Sequence, residues 1–241
     1  KDIPLIWGLR CSNMDVKQYS IKLNLIIKCC GYFSSIPKLI INNSHQGKSV
    51  HDILGFNKNS IVIHNGIDTQ KYSPNALYRN KFREKFNISK NTKLLLCVAR
   101  YDPMKDHVTL LKSFENIKKS FNNTILILAG SGTEKFSKID KVINLGAYTN
   151  INEVYSASDI ILSSSAFGEG FSNAIGEGMA SGLIPISTDV GDAKFIIKDT
   201  GKIVDVKDHI KLAKAVLDVF KMSEVEYKDY KVQSYKAKDI A

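Results

Sequence analysis

The chain has 241 residues, of which 44% are hydrophobic and 24% charged. That composition can bury a real core, which excludes a disordered chain, and no apolar run approaches the ~18 residues that a membrane-crossing helix needs. The formal net charge of +10 is lopsided: residues 1–90 carry 14 Lys and Arg against 5 Asp and Glu, and residues 91–241 carry 20 against 19. A basic first part suits anionic lipid, nucleic acid or an acidic substrate, or is simply a lysine-rich surface.

The sequence opens on Lys1, not Met, and passes at once to Ile3-Pro4-Leu5-Ile6-Trp7. It shows no charged, then apolar, then small-residue order of a signal peptide, and a piece of a longer chain is expected. In chain order, the patterning predicts a helix over 18–33, a strand over Leu39–Ile41, a helix over 44–54 and a strand over Ser60–His64. In the first helix Lys22 and Lys28 stand among Ile21, Leu23, Leu25, Ile26, Ile27 and Tyr32, which fits either buried packing or a membrane-facing helix. The Asn65-Gly66-Ile67-Asp68 turn, the Tyr72-Ser73-Pro74-Asn75 loop and the polar, basic run Asn80–Lys93 mark a boundary. Three parts are therefore expected: 1–70 as the end of one α/β domain, 71–92 as a connector, and 93–241 as a nearly whole second α/β domain.

Beyond the connector, short apolar runs predict strands at Leu94–Ala99, Thr124–Ala129, Val142–Leu145, Ile160–Ser163 and Leu183–Ser187. They are mostly unalternated, as strands covered on both faces should be. Helices are expected over 106–120, 151–157, 172–181 and 208–222. Asp106 is placed to cap the first of these, whose apolar spacing runs through Val108, Leu111 (or Leu110), Phe114 and Ile117. In the last, Ile210, Ala213, Val216, Leu217 and Phe220 follow Asp208. Strand–helix alternation argues an α/β fold with parallel sheets. The four cysteines, Cys11, Cys29, Cys30 and Cys97, contain no C-x-x-C pair. They read as reduced thiols in a cytoplasmic protein, with Cys97 in the core.

The most informative segment is Phe167-Gly168-Glu169-Gly170-Phe171-Ser172-Asn173-Ala174-Ile175-Gly176-Glu177-Gly178-Met179-Ala180. A glycine-rich loop leaves a strand and opens a helix near Ser172, so backbone can approach a ligand and free N–H groups favour an anion. Asn173 and Glu177, four apart, share a helix face. Glu169 and Glu177 then flank one anion site, and a carboxylate can accept hydrogen bonds from vicinal hydroxyls.

These residues resemble a known family. The pattern E-G-F-x-N-x-x-x-E-G-M-A-x-G is similar to the signature of the family-4 retaining glycosyltransferases, of GT-B fold. Val98-Ala99-Arg100-Tyr101-Asp102-Pro103-Met104-Lys105-Asp106 resembles the family's G-R-x-x-x-x-K-G segment. Ile127-Leu128-Ala129-Gly130-Ser131-Gly132 resembles its G-x-G turn, and Leu145-Gly146-Ala147-Tyr148 with Glu153–Asp159 its base-binding stretch. Ile63-His64-Asn65-Gly66-Ile67-Asp68 resembles the turn that ends the acceptor domain, and Pro185–Asp192 the strand and glycine turn beyond the signature.

The resemblance implies a fold of Rossmann-like parallel sheets: an incomplete N-terminal domain and a nearly whole donor domain. It implies that Arg100 and Lys105 hold the diphosphate of a nucleotide sugar, that Glu169 contacts the donor sugar, and that Glu177 binds the ribose hydroxyls. The backbone of Gly170, Phe171 and Ser172 would lie near sugar and diphosphate, with Asn173 and Gly130 also in the donor site. Tyr148 would meet the base. The implied reaction retains the anomeric configuration and needs no metal or other cofactor. The acceptor is a glycan or lipid-linked saccharide in cell-surface polysaccharide or lipopolysaccharide synthesis, reached from the cytoplasm or the inner membrane face. Three features depart from the pattern: Ala99 stands where glycine commonly precedes the arginine, the N-terminal glycine-rich loop is absent, and Arg10 falls near the place of an inward-facing histidine. A non-catalytic nucleotide-sugar-binding module is the alternative. A dinucleotide oxidoreductase lacks its clean G-x-G-x-x-G, and nucleic acid has only the charge in its favour, so no nucleic-acid partner is expected.

Overall fold

The computed structural model describes residues 3–19, 21–222 and 224–236. Two parallel sheets are present. The first has β1 (Ile6–Leu9), β2 (Leu39–Asn42) and β3 (Ser60–Val62) in that order, with helix α1 (Ile21–Tyr32) between β1 and β2 and α2 (His45–Ile53) between β2 and β3. Helix α3 (Ala76–Lys85) then leads to the second sheet, built from β4 (Lys93–Val98), β5 (Thr124–Ala129), β6 (Val142–Gly146), β7 (Ile160–Ser163), β8 (Ile184–Thr188) and β9 (Lys202–Val204). Its helices are α4 (His107–Ser120), α5 (Ile151–Ala157), α6 (Asn173–Ala180), α7 (Ala193–Ile197), α8 (His209–Phe220) and α9 (Glu224–Lys236).

The second sheet has the order β6-β5-β4-β7-β8-β9, all parallel. After β6 the chain crosses back and adds β7 on the other side of β4. That reversal opens a crevice at the carboxyl ends of β4 and β7, where such sheets take their ligands. The unalternated strands are covered on both faces. Leu94 and Leu96 point into one apolar cluster with Ile175 and Met179, and Leu95 and Cys97 into another with Phe114 and Val216. Burial pushes the Cys97 thiol up to about 12, so it packs as a small hydrophobe and does not react.

Several expectations need correction. Val108 and Ile210 are exposed; Leu110 takes the inward place in α4, and Leu212 in α8. β1, β9, α7 and α9 were not expected, and the strand over Ser60–His64 stops at Val62. The polar run at Asn80–Lys93 holds most of α3. The Asn75 side chain caps this helix at the Tyr78 N–H (3.0 Å), and Phe82 and Ile88 enter the core of the second sheet. Arg83 is buried in the same place. Its guanidinium donates to the carbonyls of Ser89 (2.7 Å), Thr92 (3.2 Å) and Ala157 (3.1 Å) and pairs with Asp159 (3.2 Å), which also pairs with Arg79 (3.0 Å). The charge pattern conceals this helix because one of its core contacts is an arginine.

No helix among the described residues is long and apolar enough to cross a membrane. No residue of α1 is buried; Ile21, Leu25, Ile26 and Tyr32 all stand exposed.

Candidate functional site

A cleft of about 490 Å³ opens at the carboxyl ends of β4 and β5 and the amino end of α6. Arg100, Lys105, Gly130, Glu169, Phe171, Ser172, Asn173 and Glu177 all line it. The first sheet contributes Arg10, Asn43 and Asn65. Of the site residues expected from sequence, Gly170 and Tyr148 are not in its wall. Gly170 sits one residue behind, where a Cβ would meet Asn43 Oδ1 at 2.3 Å. Tyr148 packs against the core cluster with the Lys85 ammonium 5.6 Å from its ring.

Arg100 leaves the end of β4 with its guanidinium largely exposed and turned to Asp102 (3.2 Å). Asp102 is itself held by the Tyr19 hydroxyl (2.7 Å) and the Met104 N–H (2.9 Å). Burial alone would raise its carboxyl, but these donors and the Arg100 charge outweigh burial and keep it below the ordinary range. The Asp102 side chain opens a 3-10 turn at Pro103–Lys105, which carries Lys105 inward. There the Lys105 ammonium pairs with Glu169, which also accepts from the Ser165 hydroxyl (2.6 Å). The two residues expected to touch diphosphate and sugar separately are thus each other's partners.

Glycines shape the backbone here. Gly130 has φ +154°, and a Cβ on it would lie 2.1 Å from the Ala99 carbonyl oxygen. No other residue lets β5 pass that close to the end of β4. At Gly191, φ +59°, a Cβ would strike the carbonyls of Gly170 (2.4 Å) and Glu169 (2.5 Å), so the turn after β8 presses directly on the Glu169 loop.

Ser172 occupies the N-cap of α6, no side chain among the described residues caps the helix, and Ser172, Asn173 and Ala174 at its start line the cleft, where first-turn N–H groups favour an anion. One turn on, Glu177 Oε2 accepts from the Tyr155 hydroxyl (2.8 Å), with Tyr72 packed edge-on against Tyr155. Burial holds the Glu177 carboxyl above its usual value; the hydrogen bonds from Tyr155 and Tyr72 pull the other way and only partly offset it. Asn173 Oδ1 accepts from Asn65 Nδ2 (2.7 Å), a bond between the two sheets' halves. Cationic groups and free N–H donors at one end of this cleft, and a fixed carboxylate at the other, match an anion joined to a diol.

The sequence left Arg10 unassigned and singled out neither Asn43 nor Tyr72; Tyr155 lies in the stretch that resembles the base-binding segment, but its bond to Glu177 was not foreseen. Asn43 directly follows β2, and its Oδ1 is buried beside the cleft with no hydrogen-bond partner among the described residues. No metal was expected either. The structure brings His45, His64 and Asp192 together, with one donor atom of each within 4.8 Å of the others.

Doubly wound sheets with a cleft of this kind define a class of nucleotide-binding α/β proteins. The family model described as "Glycosyl transferases group 1" matches residues 78–239, and the chain belongs to that family. It is similar to the putative glycosyltransferase EpsF of Bacillus subtilis (strain 168), at 27% identity over 53% of this chain and 35% of that protein. The chain thus matches about a third of this curated relative's length. Among solved structures it resembles Alr3699/HepE of Anabaena in complex with UDP-glucose, with a TM-score of 0.83 at 19% identity, covering 98% of this chain and 67% of that one. A glycosyltransferase of Rickettsia africae (TM-score 0.76, 19% identity, 97% and 65% covered) and WaaG (0.75, 14%, 98% and 73%) are similar too. At these identities the likeness shows the fold, which is the two-sheet GT-B arrangement.

Proposed function

We propose that this chain is the donor-binding part of a retaining glycosyltransferase. It moves a sugar from a nucleoside-diphosphate donor to a glycan or lipid-linked saccharide in cell-surface polysaccharide synthesis. The observation that carries the reading is the cleft itself, which places Arg100, Lys105, the amino end of α6 and Glu177 around one volume. Family membership, the UDP-glucose complex of HepE and the involvement of WaaG in lipopolysaccharide biosynthesis support the same reading.

In this mechanism the ribose diol hydrogen-bonds Glu177, whose carboxylate Tyr155 holds in place. The diphosphate lies against the α6 N–H groups, Arg100 and Lys105. As the bond between the anomeric carbon and the diphosphate oxygen breaks, negative charge grows on that oxygen. Arg100, Lys105 and the helix N-terminus stabilise the charge where it develops. The acceptor hydroxyl bonds to the anomeric carbon from the face the diphosphate leaves, and its proton passes to the departing phosphate. The cations do the work a divalent ion does elsewhere, so the reaction needs no metal. The basic first ninety residues and the exposed apolar side chains of α1 suit an anionic membrane surface, where a lipid-linked acceptor would lie.

NMR of the product formed from an α-linked sugar nucleotide tests this: an α-glycoside is the result expected, formed at a rate independent of added Mg²⁺ or Mn²⁺. A β-product, or a rate that requires Mg²⁺ or Mn²⁺, overturns the retaining mechanism in which side-chain cations stabilise the leaving diphosphate.

A further inference from the structure

We propose that His45, His64 and Asp192 form a binding site for a divalent transition-metal ion of the zinc class. The site is separate from the donor cleft and staples the two sheets' halves together. His45 opens α2, His64 lies two residues beyond β3, and Asp192 precedes α7 in the other half. One donor atom of each lies within 4.8 Å of the others. Zinc–nitrogen and zinc–oxygen bonds of about 2.0–2.1 Å set tetrahedral donors roughly 3.3 Å apart. His64 Nε2 and Asp192 Oδ2, at 3.1 Å, already have that separation. His45 reaches the same spacing with an inward swing of at most about 1.5 Å. It is exposed, and its ring has only edge contacts with His64 (5.0 Å) and Phe195 (5.1 Å) among the described residues, so the swing is open to it.

The carboxylate is already oriented for the task. Asp192 accepts from the backbone N–H groups of His45 (2.7 Å) and Gln46 (2.9 Å) as well as from His64. An ionised carboxylate has about four acceptor positions, so an ion can take the place of the His64 contact while both backbone bonds remain. Those bonds fix the carboxylate and neutralise the positive end of α2. Phe195 stacks on His64 (4.8 Å) and Phe171 lies 5.5 Å away, a low-dielectric wall that strengthens metal bonds. Two imidazoles with one carboxylate suit zinc, cobalt, nickel or copper; magnesium and calcium take oxygen ligands. The exposed side at His45 leaves a coordination position for water. Because the Asp192 N–H also donates to the Gly170 carbonyl (3.1 Å), an ion held here ties α2 to the loop that carries Glu169.

Calorimetric titration with Zn²⁺ tests the proposal on three proteins: wild type, His45→Ala and His64→Gln. His45 is exposed, and Gln can keep a donor to Asp192, so both variants should fold; their metal-free melting curves check that. The result expected is one site per chain in wild type, weakened at least about tenfold in each variant. Co²⁺ should bind there without the thiolate absorption bands of a cysteine site. No stoichiometric binding in wild type, or binding undiminished in the variants with thiolate bands from Cys29 and Cys30, overturns it.

Discussion

Lys105 is paired with Glu169, and this has a measurable consequence for diphosphate affinity. To grip a diphosphate the ammonium must leave or share that carboxylate, whose charge also repels the phosphate. Glu169→Gln keeps the shape and an acceptor for the Ser165 hydroxyl but removes the charge. The pair is mostly shielded, with 18% of the Lys105 side chain and 11% of the Glu169 side chain exposed. Two unit charges at about 4 Å and an effective dielectric of about 20 interact by about 4 kcal/mol. Solvation of the partners reduces the recoverable share to about a third, or about 1.4 kcal/mol, a factor of about ten in affinity. Glu169→Gln should therefore bind the free nucleoside diphosphate about tenfold more tightly by calorimetry, with the gap narrowing in high salt. Sugar transfer should fall at the same time if, as proposed, this carboxylate contacts the donor sugar. Equal or weaker diphosphate binding in the variant would refute the competition between Glu169 and phosphate for Lys105.

Three further outcomes follow from the geometry. Arg83→Met removes a buried partner of Asp159 and strands the Ser89 and Thr92 carbonyls, so urea unfolding should show a loss of about 3–5 kcal/mol; a loss under about 1 kcal/mol would contradict the buried network. Gly130→Ala forces a Cβ against the Ala99 carbonyl at a φ of +154°, and should cost at least about 1–3 kcal/mol and weaken nucleotide binding through the displaced end of β4. Burial raises the Glu177 carboxyl above its reference value of 4.5, so the folded state holds that proton more tightly than the unfolded chain. This contribution to stability is present below the unfolded value and is lost as pH rises through the folded one. The stability of Glu177→Gln relative to wild type should accordingly rise between acid and neutral pH, even as its nucleotide affinity falls; a difference constant with pH would show that the carboxyl is not raised.

The site was legible where its chemistry lies in one continuous segment. The turn into α6 announces itself by its glycines, Arg100, Lys105 and Gly130 are reached through the resemblance of their segments to the family's, and the structure gathers them in one cleft. What sequence did not show depends on contacts between distant segments. Asp192 meets His45 across 147 positions and His64 across 128, and no local pattern carries such a pairing. Tyr155 falls in the stretch that resembles the family's base-binding segment, but no local pattern pairs its hydroxyl with Glu177, 22 positions on. For α3 the reading failed differently. An amphipathic pattern looks for an apolar stripe, and half of that stripe is Arg83, inside only because Asp159 and three carbonyls receive it. In α4, the heptad-like spacing fits Val108 as well as Leu110, and only the register set by the Asp106 cap, which accepts from the Thr109 N–H (3.1 Å), turns Leu110 inward.

The central claim is that Arg100, Lys105 and Glu177 together receive a nucleoside diphosphate. Calorimetry with UDP, GDP, ADP and CMP, on wild type and on the double variant Arg100→Ala/Lys105→Ala, tests it most directly. One diphosphate should bind wild type, and the double variant should bind it at least about a hundredfold more weakly, since two charge-assisted contacts of about 1.5–3 kcal/mol each are lost. Equal binding by both proteins, or no binding of any of these nucleotides, would contradict it.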